Sequence, residues 1–210
     1  MAKSVIYIST AVLLVIPFAL FGQLESRGTH AQVDETRITC GDVIKGAFRF
    51  PDRTSPDSGY ARRRIVVRFV PSWGLESQII LTDRIDRSIR VLHEKVKQGT
   101  PSISDRCNEI LKANPKARVE DILCMLSVER EEKIADASIT RLFREFSRLS
   151  IPADLNTAFT ADGTTYEVWV QTVSNEIHLT LSDGAYGEDT ATTPIMKWIK
   201  ALRAEVEKPN

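Results

Sequence analysis

Histidine and cysteine, from which many catalytic and metal sites are built, are scarce in this 210-residue chain, with three of each. The spacing of Cys40, Cys107 and Cys124 lacks the paired cysteines or nearby histidines of a zinc site. The sequence also contains no G-x-S-x-G, H-E-x-x-H or P-loop motif and no paired-glycine nucleotide fingerprint. We therefore predict no cofactor and no metal ion, and we favour a non-enzymatic protein over an enzyme.

An excess of charge of either sign is also absent. Lys and Arg together number 28, as do Asp and Glu, so the formal net charge is zero. A balanced chain has no overall field to hold nucleic acid or an anionic membrane surface, and we expect neither as a general partner. With 42% hydrophobic and 27% charged residues, the composition is typical of a globular protein rather than a disordered one.

One apolar segment stands out at the start of the chain. Lys3 is followed by residues 4–24, which contain no charge and include the apolar stretch 5–21. This layout is typical of a secretory signal, and the run is also near the lower length limit for a membrane span. We assign residues 1–22 to a signal peptide or an uncleaved membrane anchor and residues 23–36 to a linker. The expected location is periplasmic or secreted, with residues 5–21 as an inner-membrane anchor if they are not cleaved.

Residues 37–210 are predicted to form a single α+β globular domain, with an antiparallel sheet packed against several short helices. Period-2 alternation in 165–172 and 177–181 indicates a hairpin, and a helical apolar stripe favours a last helix over Pro194–Val206. For residues 88–96 the pattern of apolar residues is compatible with either a strand or a helix. Further strands are expected at 38–50, 65–70 and 78–82, and further helices from Ser102, over 119–126 and over 139–149, the last ended by Pro152.

The three cysteines predict one disulfide and one unpaired thiol in an oxidising compartment. We prefer a bridge between Cys107 and Cys124, because both lie on short helices that are neighbours in the chain. Three unpaired thiols are the alternative.

Arginines gather before one predicted strand and after the next. Arg62, Arg63 and Arg64 precede the apolar run 65–70, and three more follow the second strand, namely Arg84, Arg87 and Arg90. If the two strands pair, some of these side chains converge and could receive an acidic partner or an anionic glycan. The alternative is a charged edge strand that resists aggregation.

Two tryptophans are further candidates for binding. Trp169 lies beside Glu167 on the polar face of its predicted strand, where an exposed ring could anchor a partner. The alternative is that the final helix crosses this face and buries Trp169 together with Trp198. Trp73 lies on a predicted turn, either as a contact residue or as a hydrophobic plug beneath the loop.

These observations favour an exported, non-catalytic domain that binds another protein. One alternative is a small extracytoplasmic hydrolase whose site combines His93 or His178 with a carboxylate. A second is a membrane-tethered assembly subunit held by residues 5–21. The candidate binding residues are Trp169, Glu167, Trp73, Arg62, Arg63 and Arg64.

Overall fold

The computed structural model describes residues 38–48, 61–149, 163–183 and 193–208. The predicted signal or anchor and the linker lie outside these residues, and so does Pro152. The described residues belong to one compact unit, Ile38–Asn210. Within them, no helix combines the length and the apolar character needed to cross a membrane.

The described residues form five helices and six strands. All six strands join one antiparallel sheet in the order β4-β3-β2-β1-β5-β6, which confirms the α+β class. In chain order the elements are α1 (Cys40–Ala47), β1 (Ala61–Pro71), β2 (Ser77–Arg84), β3 (Ile89–Val96), α2 (Ile103–Ala113), α3 (Val119–Leu123), β4 (Val128–Ile134), α4 (Ala137–Phe146), β5 (Thr164–Thr172), β6 (Glu176–Ser182) and α5 (Pro194–Val206).

Strand β1 lies at the centre of the sheet, between β2 and β5. Its residues from Arg64 to Phe69 are all buried, because both faces of a central strand are covered. Within the segment 88–96, for which a helix was the alternative, residues Ile89–Val96 form strand β3. This strand pairs with β2 and β4.

Helices α4 and α5 cover one face of the sheet. Their apolar stripes pack on inward-facing residues of β1, β2, β3, β5 and β6 to form the larger core. At its centre, Trp198 Nε1 donates to Leu142 O at 2.7 Å, and its ring meets Phe146 edge-on at 4.7 Å between centroids. The predicted docking of the last helix on the hairpin's sheet is therefore confirmed.

Helices α1, α2 and α3 build a second, smaller core beside Val96 and Val128. A disulfide between Cys40 and Cys107 joins α1 to α2, with 5.7 Å between the Cα atoms. The preferred Cys107–Cys124 bridge is thus wrong. Cys107 is fully buried and faces α1, whereas Cys124 follows the last residue of α3 and is exposed with a free thiol.

The predicted strand at 38–50 is also wrong, since α1 occupies most of the described part of this range. Thr39 begins the helix with a capping box. Its backbone N donates to Asp42 Oδ2 at 3.0 Å, and its Oγ1 accepts from the Asp42 backbone N at 3.3 Å. Val43, Ile44 and Ala47 then fall on one buried helical face.

Replacing Trp198 with alanine should lower the free energy of unfolding by about 3–5 kcal/mol. The change removes a buried ring and leaves the Leu142 carbonyl without its donor. The matched control is Lys197→Ala on the exposed face of α5, which should cost less than about 0.5 kcal/mol. Urea denaturation of both variants measures the difference, and equal midpoints would show that α5 is not docked.

Candidate functional site

The sheet face opposite α4 and α5 contains a row of polar side chains that crosses five strands. In the ladder, Arg130, Glu94, Gln78, Arg68 and Glu167 stand directly opposite one another on β4, β3, β2, β1 and β5. The bonds run without a gap: Arg130 Nε to Glu94 Oε1 at 2.7 Å, Gln78 Nε2 to Glu94 Oε2 at 3.1 Å, Arg68 Nε to Gln78 Oε1 at 3.1 Å, and Arg68 Nη1 to Glu167 Oε2 at 3.1 Å. We call these five residues the polar row.

Arg68 is the most deeply buried charged residue of this row, with only 1% of its surface exposed. Burial lowers the pKa of the Arg68 guanidinium, and the negative charge of Glu167 opposes that shift. Its Nη2 also donates to Phe48 O at 3.4 Å, so the end of α1 contributes to the same site. Cation and anion are matched across the row, as a buried charge requires.

Trp169 lies next to the polar row and is 9% exposed. It packs with Val66 and Ile80, and its ring stacks on exposed His178 with centroids 4.6 Å apart and an interplanar angle of 1°. Helix α5 packs on the opposite face of the sheet. Trp169 is therefore neither an exposed anchor nor a residue that the final helix buries. The adjacent Glu167 is the partner of Arg68 rather than a surface contact.

The three consecutive arginines point into three different surroundings. Arg63 Nη2 donates to Phe143 O at 3.0 Å and its guanidinium lies 4.1 Å from the Phe143 ring centroid, which fixes it on the α4 side. Arg64 is buried on the other face and donates to Gln171 Oε1 at 3.4 Å. Because β1 is central, these residues do not guard an edge strand.

Arg62 differs from its two neighbours because it is the extra residue of a β-bulge. The register steps from Ala61 opposite Arg84 to Arg63 opposite Asp83, which leaves Arg62 outside the ladder. Its side chain is exposed and Nη2 donates to Ile85 O at 3.3 Å. Bulges of this kind redirect a side chain at the rim of a sheet.

Arg62 contacts the β2–β3 turn, and the β5–β6 turn lies at the same end of the sheet. The β2–β3 turn presents Arg84, Ile85 and Arg87, and the β5–β6 turn presents Val173. Arg84 pairs with Ala61 and Thr172 with Arg63, which places both turns where β1 begins. We call Arg62, Arg84, Ile85, Arg87 and Val173 the hairpin end.

The hairpin end combines apolar and cationic surface. Ile85 is 55% exposed and Val173 is 86% exposed. Arg62, Arg84 and Arg87 form no ion pair with a carboxylate of the described residues. The pairing of β1 with β2 places Arg62 and Arg84 at the same end of the sheet, whereas Arg90 is engaged with Glu132 at 2.7 Å.

Trp73 is not part of this surface. It is 83% exposed on the β1–β2 turn, at the opposite end of the sheet. The structure thus places Trp169, Glu167 and Arg64 on one sheet face, Arg62 at the hairpin end, Arg63 against α4, and Trp73 on the β1–β2 turn at the other end of the sheet.

Neither histidine contacts a carboxylate within the described part of the chain. His93 is buried on the side that α4 and α5 cover, and its Nε2 has no hydrogen-bond partner there. His178 is exposed and stacked on Trp169. In the same residues no group of three or more His, Cys, Asp or Glu side chains is placed to hold a metal ion.

No family model matches this chain, and no curated protein matches it either. Sequence reasoning did not identify the polar row. In the sequence, the only indication of this row was a charged residue, Arg68, inside the apolar run 65–70.

Burial of His93 predicts a loss of stability in mild acid. Desolvation lowers the pKa of His93 below 6.5, with nearby charges of both signs from Glu207, Lys95, Glu131 and Lys133. As the pH falls below about 6.5, the unfolded chain takes up a proton that the folded chain does not. The free energy of unfolding should then decrease by up to about 1.4 kcal/mol per pH unit until the folded pKa is reached.

The measurement is urea denaturation between pH 8 and pH 5.5. His93→Gln should flatten the decrease, whereas His178→Gln, the exposed control, should leave it in place. An equally steep decrease in the His93 variant would assign the effect to other groups.

Proposed function

We propose that this chain is an exported, non-catalytic domain that binds another protein, and that the hairpin end is its contact surface. Two large aliphatic side chains held in water on neighbouring turns support this proposal. Clustered exposed apolar residues with a polar rim are typical of protein interaction sites. The buried polar row, by contrast, is engaged internally.

Backbone hydrogen bonds within the two turns also favour the hairpin end as the contact surface. The β2–β3 turn is closed by bonds from Arg84 N to Ser88 O and from Arg87 N to Arg84 O, both 3.0 Å. The β5–β6 turn is closed by Thr172 N to Asn175 O at 2.8 Å. A preformed surface binds with a smaller loss of conformational entropy than a surface that must be ordered.

The export part of the proposal rests on the N-terminal sequence. The Cys40–Cys107 disulfide is compatible with an oxidising compartment. We propose a periplasmic or secreted domain, tethered to the inner membrane by residues 5–21 if these are not cleaved. A tethered assembly subunit would use the same contact surface, and no observation favours the hydrolase.

Site-specific photocrosslinking tests the proposal directly. A photoreactive residue at position 173 of the full chain, expressed in its native host, should yield a discrete adduct with a second protein. The control is the same residue at exposed Lys112 of α2, which should yield none. The absence of an adduct at 173, or identical products from both positions, would contradict the proposal. Turnover of hydrolase substrates that is lost in His93→Gln or His178→Gln would favour the enzyme instead.

A further inference from the structure

We infer that the hairpin end receives an acidic segment of the partner protein, one that also presents an aliphatic side chain. This inference rests on the proposed function and adds the chemistry of the partner. It depends on three features of the surface: unpaired guanidinium groups, the backbone conformation that displays one of them, and the apolar side chains beside them.

The charge of this surface is not balanced locally. Three guanidinium groups, those of Arg62, Arg84 and Arg87, lack a carboxylate partner in the described residues. The one carboxylate on the same turn, Asp86, accepts from the backbone N and Oγ of Ser88 at 2.9 and 2.6 Å. These bonds and the charges of Arg84 and Arg90 lower the pKa of Asp86, whose single negative charge offsets only part of the charge of three arginines. In a chain of zero net charge, this is a local cationic excess that fits an anionic partner.

The type of cation suits oxyanions that accept two hydrogen bonds, and carboxylates are among them. All seven basic residues between positions 62 and 90 are arginine and none is lysine. A guanidinium can bind a carboxylate through two parallel hydrogen bonds, which a lysine cannot do.

The backbone of Arg87 adopts an unfavourable conformation. Its φ is 66°, and it is the only residue other than glycine with a positive φ among those described. A left-handed conformation is unfavourable for a residue with a Cβ, whereas glycine adopts it readily. An exposed arginine at such a position suits a role in which its side chain is used.

The neighbouring apolar groups select a protein among anionic partners. Ile85 and Val173 lie on the turns that follow β2 and β5, the two strands beside β1. These strands are about 10 Å apart, a distance that about three extended residues span. A polysulfated glycan has no aliphatic side chain to place against them. A membrane interface favours tryptophan, and the exposed Trp73 lies at the other end of the sheet.

Peptide binding to the full chain tests the inference. The probe is a fluorescent peptide of four glutamates with a leucine at each end, and its affinity is measured by anisotropy at 50 mM and 200 mM salt. Arg84→Glu/Arg87→Glu should weaken binding by about tenfold or more, and the higher salt should weaken binding to the parent. The control Lys112→Glu/Lys116→Glu makes the same charge change on exposed residues away from the hairpin end, and should alter affinity by less than about twofold.

The following outcomes would overturn this inference, and the last of them leaves the proposed function intact. Undetectable peptide binding, or equal losses in the two double variants, would overturn the inference. Preferential binding of heparin or of phosphatidylglycerol vesicles, lost in the arginine variant, would overturn it in favour of a glycan or a membrane. The adduct at position 173 should also decrease about tenfold in the arginine variant. An undiminished adduct would leave the proposed function standing and refute the acidic segment.

Discussion

The burial of one guanidinium in the middle of the sheet constrains most of this fold. Arg68 sits on the central strand, almost without contact with water, and a buried charge of this kind is tolerated only with partners of suitable geometry. Those partners come from β2, β5 and the end of α1: Gln78, Glu167 and Phe48. A slip of either neighbouring strand by one residue would move the partner side chain to the other face and leave Arg68 uncompensated.

The two faces of the sheet are consequently different in kind. The face under α4 and α5 is an apolar core that Trp198 and Phe146 help to fill. The other face combines the polar row with the Val66, Ile80 and Trp169 cluster. Since both faces are occupied, the proposed partner would bind at the ends or edges of the sheet, and the hairpin end is one place there where apolar and cationic groups coincide.

Local periodicity explains what the sequence could predict. The β5–β6 hairpin and α5 were foreseeable because alternation and a helical stripe are properties of neighbouring residues. The helix α1 was not recognised, since its start depends on the short Thr39–Asp42 capping box and its apolar positions also suit a strand. The Cys40–Cys107 pairing and the polar row depend on residues far apart in the chain, which only the packed fold brings together. The placement of Arg62 and Arg84 at the same end of the sheet was foreseeable, because it required only that β1 and β2 pair.

A double-mutant cycle between Arg68 and Glu167 tests the central claim most directly. Arg68→Met, Glu167→Gln and the combined variant would each be unfolded in urea, and their free energies compared with that of the parent. We predict that Arg68→Met alone costs about 3 kcal/mol, because it leaves buried polar partners uncompensated, and that the double variant costs at least about 1 kcal/mol less than the sum of the single variants. Additive losses, or an Arg68→Met variant as stable as the parent, would contradict the conclusion that this buried charge holds the sheet in register.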